Sequence, residues 1–155
     1  MPHLPLALLV ALISTVASFF GAWLAAHFAL RHFYKERIWE RKVAAYSAIF
    51  EALHIIGLWY EKHLDAYIEQ RDLSAETTAK LQRDANEAEE TLERRLASET
   101  WLIPEECRHR LSRLTSDLKT RPDDWFQYLD NATGALAKGT DDLRNLVQKD
   151  LRIKN

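Results

Sequence analysis

An all-α protein is what this sequence predicts, with one membrane-crossing helix at its head and a small helical bundle behind it. Three observations carry that expectation. Leu4 to Leu30 contains no Asp, Glu, Lys or Arg. From Arg31 to about Gln70 apolar residues recur at helical spacing, with no breaker except Gly57. The chain of 155 residues has only four Gly and four Pro, and no stretch alternates apolar and polar residues as a half-buried strand does.

The uncharged stretch comes first. Its 27 residues would span roughly 40 Å as a helix, against a hydrocarbon core of about 30 Å. A secretory signal is the rival reading, but it requires a basic head and an apolar run of only ~7–15 residues. Here Met1-Pro2-His3 has no Lys or Arg, and the positive charge follows the run as Arg31, Lys35, Arg37, Arg41 and Lys42. The positive-inside rule then puts the N-terminus outside and residues 31 onward in the cytoplasm. The expected division is 1–30 for the membrane helix and 31–155 for a cytoplasmic bundle in contact with membrane lipid only through its anchor.

On that helix Ala11, Ser14, Thr15, Ser18, Ala22 and Ala25 share one side at ~100° per residue. Small and hydroxylated residues in a stripe let membrane helices approach closely, so this is the expected packing or pore-lining face. Phe20, Trp23 and His27 lie opposite and are candidates for a gate. His27 is the one ionisable side chain within the span, and an intramembrane ionisable group is a functional candidate by default. Its place one turn before Arg31 fits an interfacial anchor equally well, as does Trp23.

Beyond Arg31 the apolar positions fall into two heptad series. One is Trp39, Tyr46, Leu53, Tyr60 and Tyr67; the other is Val43, Phe50, Gly57 and Leu64. Carried backwards by sevens, both run into the small stripe, through Ala25 and Ser18 on one side and Ala22 and Thr15 on the other. One helix from about Leu4 to about Gln70 follows, roughly 100 Å long. Trp39, Val43, Tyr46 and Phe50 are the expected oligomer seam, although the same residues serve equally well to pack against this chain's own helices.

The remaining chain predicts three shorter helices, at about 75–98, 104–119 and 123–152. Ser74 suits the N-cap of the first, whose apolar face is thin and flanked by Glu87, Glu89, Glu90 and Glu93. Trp101, Leu102 and Ile103 form an apolar hinge expected to insert into the bundle. Pro104 opens the next helix, which buries Cys107, Leu111, Leu114 and Leu118. Trp125, Leu129, Ala132, Leu136, Leu143, Leu146 or Val147, and Leu151 continue at helical spacing along the last, where Gly134 and Gly139 are expected to allow a bend.

Charge is unevenly spread. Residues 61–99 hold eleven acids and six bases, whereas residues 107–155 hold ten bases and seven acids. No tract is basic enough for duplex nucleic acid. The lone Cys107 excludes an internal disulfide. No phosphate loop, GxSxG, HExxH or CxxC is present, so neither an enzyme nor a cofactor or metal site is expected. Arg108, Arg110, Arg113, Lys119 and Arg121, followed by Trp125, combine cations with an aromatic face inside 18 residues and could hold an anionic ligand. The competing reading pairs these bases with the acidic helix 75–98 and leaves Trp125 in the core.

A short N-out span that runs straight into a long helix, capped by a small bundle, resembles the membrane effectors of bacterial anti-phage systems. The stretch RHFYKERIWERKVAAYSAIFEALHII is similar to the juxtamembrane region of small bacterial membrane proteins, and the whole architecture resembles the transmembrane effector of the Hailong defence system. That resemblance implies a tetrameric ion channel in the bacterial inner membrane. It further implies closure by a DNA-like oligonucleotide made by a partner nucleotidyltransferase. It rests on architecture and assigns no residue a role. The expected function is therefore a homo-oligomeric membrane effector gated through its cytoplasmic helices; the alternative is a single-pass adaptor that recruits a cytoplasmic partner.

Overall fold

The computed structural model describes the backbone of residues 4–151 and side chains from Ser14 to Leu151. The described residues form four α-helices and no strand: α1 (Leu4–Ile68), α2 (Ala75–Ser98), α3 (Glu105–Lys119) and α4 (Trp125–Asp150). Two compact units divide the chain between Glu40 and Arg41, further along α1 than Leu30. The reason is that residues 31–40 are exposed and contribute nothing to the core, whose first buried residue is Ala45. Among the described residues one helix, α1, is long and apolar enough to cross a membrane.

Local chemistry explains where each helix stops and starts. Gln70 ends α1 in the left-handed region, at φ 51. Its N–H donates to the Tyr67 carbonyl at 3.2 Å and that of Arg71 to the Ala66 carbonyl at 3.0 Å. This pair of bonds is a Schellman closure with glutamine where glycine is usual. Ser74 Oγ accepts from the Thr77 N–H at 3.2 Å to cap α2, and Asp124 accepts from that of Gln127 at 2.9 Å to cap α4. Pro104 caps α3 without a side-chain bond, and Glu105 and Glu106 in the first turn complement the helix dipole.

In the second unit the core draws on every helix. From α1 it takes Tyr46, Ile49, Leu53, Ile56 and Tyr60; α2 adds Ala88 and Leu92, α3 adds Cys107 and Leu111, and α4 adds Leu129 and Leu143. Two residues of the expected seam pack within this chain: Tyr46 is buried, and Phe50 lies half-buried at the edge of the same core. Ile49 and Ile56, absent from both heptad series, lie deeper than Val43, Phe50, Gly57 and Leu64. The bundle has closed over the i+3 side of Tyr46 and Leu53. Trp39 is exposed in the first unit and Val43 half-buried in the second.

The hinge behaves differently from expectation. Leu102 and Ile103 are buried, but Trp101 is 65% exposed. The N–H groups of Leu102 and Ile103 both donate to the Glu99 carbonyl, at 2.9 and 3.1 Å. That turn aims the two aliphatic residues inward and the indole out.

The glycines of α4 also sort themselves. The helix runs through both without a break. A Cβ on Gly139 would lie 2.8 Å from Leu114 Cδ1, whereas one on Gly57 or Gly134 would meet nothing within 4 Å. Close approach of α3 to α4 requires Gly139. Substituting Gly57 or Gly134 by Ala is expected to raise stability by about 1 kcal/mol, and Gly139→Ala to lower it by about 1–3 kcal/mol. Denaturant midpoints of the three variants check both signs.

Candidate functional site

In the first unit Ser14, Thr15, Ser18, Ala22 and Ala25 are exposed, and so are the bulkier residues around them; Ala11 lies outside the residues whose side chains are described. Phe19, Phe20, Trp23 and Phe28 are all more than half exposed. Ser18 donates its hydroxyl proton to the Ser14 carbonyl at 2.8 Å. A serine bonded back to its own helix satisfies its donor and turns its lone pairs outward. The three gate candidates form one aromatic ladder: Phe20 and Trp23 are 5.9 Å apart between ring centres, and His27 stacks on Trp23 at 5.7 Å and 17°.

In the second unit the basic cluster does not converge. Arg110 pairs with Asp142 on α4. Lys119 reaches Glu93 on α2 at 3.9 Å, both side chains well exposed, so this contact contributes little. Arg121 lies over the Tyr128 ring, 5.5 Å from its centre. Arg108 is half-buried and Arg113 exposed. Only Lys119 therefore meets the acidic α2, which corrects the pairing expected across the bundle. Trp125 is 45% exposed, not buried. It stands perpendicular to Trp59 at 6.2 Å and tilted against Tyr128 at 5.5 Å.

The bases nevertheless mark two different surfaces. Arg110 and Arg113 line an open hollow on α3 together with His109 and Asp117. Lys119 and Arg121 instead stand at a cavity of about 230 Å³ where α2 and α3 face α1 and α4. Tyr60 and Tyr128 line that cavity, their hydroxyls 2.9 Å apart, and Tyr128 donates to the Leu118 carbonyl at 3.3 Å. Tyr60 is then the donor to Tyr128. On the far side of the bundle a groove of about 450 Å³ between α1 and α4 is lined by Phe50, His54, Gly57, Leu136 and Arg144.

One polar constellation was not foreseen at all. Lys42 Nζ lies 2.8 and 2.9 Å from the two carboxylate oxygens of Asp150, and the Tyr46 hydroxyl donates to Asp150 Oδ2 at 2.8 Å. Cys107 Sγ is 3.8 Å from the same hydroxyl. Burial, followed by the bond to Asp150, pushes the Tyr46 phenol far above its ordinary value of 10.0. Burial, then the bond to Tyr128, raises Tyr60, and burial raises the Cys107 thiol above 9.0.

The folded bundle keeps these protons at a pH where an unfolded chain sheds them. Unfolding in alkali therefore releases protons, and stability falls as pH rises above about 9–10 while remaining intact below. Denaturation midpoints measured upward from neutral pH are expected to drop through that window, and Tyr46→Phe is expected to flatten the fall.

Among the described residues no group of three or more His, Cys, Asp or Glu could hold a metal ion. No family model, curated protein or solved structure matches the chain.

Proposed function

We propose that this protein is a homo-oligomeric membrane effector whose first helices line an ion pore gated by the helical bundle. The observation that carries the reading is the bare apolar surface of α1 from Val16 to Leu30, uncharged throughout and with no large side chain buried. Such a surface needs lipid or other helices to cover it. The small face of Ser14, Thr15, Ser18, Ala22 and Ala25 suits contact between copies, and the larger residues suit lipid. With its proton held by Ser14, the Ser18 oxygen offers an acceptor to a hydrated cation. The Phe20, Trp23 and His27 ladder lies on the opposite side and faces lipid in this packing; it supplies a constriction only in the reverse arrangement, with that side toward the pore.

The bundle shares α1 with the apolar stretch, so a ligand or partner that reshapes the bundle acts on the same helix. The architectural resemblance favours a bacterial inner membrane, a periplasmic N-terminus, a tetramer and anti-phage defence. It also favours an oligonucleotide or nucleotide from a partner enzyme as the controlling ligand. A second reading, a membrane-tethered adaptor, rests on the exposed Trp125, Phe126 and Tyr67 of the bundle, which suit a protein contact.

Two measurements decide between them. The mass of the detergent-solubilised protein is expected to be that of a discrete oligomer, with conductance in planar bilayers. Exchanging residues 4–30 for a poly-Leu span is expected to abolish conductance and function. A monomer whose function survives the exchange would establish the adaptor instead.

A further inference from the structure

The cavity between α2 and α3 has a lining that selects for one class of small molecule. Its apolar part comes from Ile56, Leu92, Leu96 and Leu118, with the faces of Tyr60 and Tyr128 beside them. Four charged residues complete it: Glu89 and Glu93 from α2, Lys119 from the end of α3 and Arg121 from the loop that follows. Lys119 and Glu93 face each other across it. Glu89 and Arg121 are different. Neither has an ion-pair partner among the described residues, although Arg121 lies over the Tyr128 ring.

A simple anion gains from Arg121 but is repelled by Glu89 and Glu93; a simple cation meets the reverse. Only a molecule with both charges forms an ion pair with Glu89 and with Arg121 alike. The space, about 230 Å³ and open to solvent on one side, suits a small molecule. Because Tyr60 donates to Tyr128 and Tyr128 to Leu118, the Tyr60 oxygen is left as an acceptor.

We propose that this cavity binds a small zwitterion with an apolar body, of the kind represented by an aliphatic or aromatic amino acid. Its carboxylate pairs with Arg121 and its ammonium with Glu89, while its side chain lies on Ile56, Leu92, Leu96 and Leu118. Binding here is read directly and stands or falls separately from the pore.

The test is calorimetric titration of the full-length protein in detergent with L-leucine and L-phenylalanine. Phenethylamine and 3-phenylpropionate, each lacking one charge, serve as the controls. Saturable binding of at least one amino acid is expected, with the single-charge analogues about tenfold to a hundredfold weaker. Glu89→Gln and Arg121→Gln are each expected to weaken binding by a similar factor. Glu89 is exposed and has no ion pair among the described residues, so the unfolding midpoint of Glu89→Gln without amino acid should not move. No saturable binding of either amino acid up to about 10 mM, in the weak-affinity range, would overturn the proposal. Analogues that bind as well as the amino acids, or variants that bind unchanged, would overturn it equally.

Discussion

Asp150→Ala is expected to be the most damaging polar substitution in the bundle, lowering stability by about 3 kcal/mol. The carboxylate holds Lys42 through both oxygens and takes the Tyr46 proton as well. The Lys42 and Asp150 side chains are 24% and 16% exposed, so neither is freely rehydrated when its partner is lost. Removing Asp150 leaves an ammonium half out of water and a buried phenol with only the weak acceptor Cys107 Sγ at 3.8 Å. Asp150→Asn keeps an acceptor for Tyr46 but not the charge, so it should lie between wild type and Asp150→Ala. The double variant Lys42→Met with Asp150→Leu should recover much of the loss, because the cost lies in stranding one partner. Urea midpoints of the four proteins measure all of this. Equal stability of Asp150→Ala and wild type would show that the trio contributes nothing.

Ser18→Leu is expected to abolish both assembly and conductance. Leucine puts a branched side chain in the middle of a face otherwise made of Ser14, Thr15, Ala22 and Ala25, which keeps neighbouring backbones apart. It also removes the oxygen whose lone pairs the bond to the Ser14 carbonyl leaves free for an ion. Helix formation and membrane insertion should be unaffected, since leucine is the better helix former and more apolar. Ser18→Ala separates the two effects: the oligomer should persist while conductance falls. Solution mass in detergent and bilayer recordings on both variants give the answer. An unchanged oligomer that still conducts with Ser18→Leu in place would show that another face of the helix is the functional one.

Helix count and ends were legible because they depend on local chemistry. The run to Gln70 with Gly57 as its one breaker, the Ser74 cap and Pro104 each act within a few residues of themselves. Burial was legible where one periodic face was clear, as for Cys107, Leu111, Leu114 and Leu118 in α3. On α1, two heptad series compete for the core, and only the positions of the other helices decide that Ile49 and Ile56 go in while Phe50 stays at the edge. Trp101 misled because hydrophobicity says that a residue gains from burial, not that a turn leaves room for it. The polar sites were the least legible. Nothing near Tyr46 in sequence announces Asp150, 104 residues away, and the cavity at Tyr60 and Tyr128 depends on a hydroxyl pair 68 residues apart. The basic run after Cys107 reads as one cluster along the chain, yet the fold sends its members to different surfaces.

The bond from Lys42 to Asp150 also governs the order of events during synthesis. The two residues are 108 positions apart, so at ~5–20 residues per second translation needs about 5–22 s between them. Throughout that interval Tyr46, Ile49 and Leu53 have been made but lack α4, whose Leu129 and Leu143 complete their core. The apolar head of the chain emerges before any of this and, on the pore reading, has the membrane to itself. Commitment to the bilayer then precedes closure of the bundle, and the nascent protein carries an open apolar flank until its last helix arrives. A partner copy synthesised alongside would meet that flank before it closes.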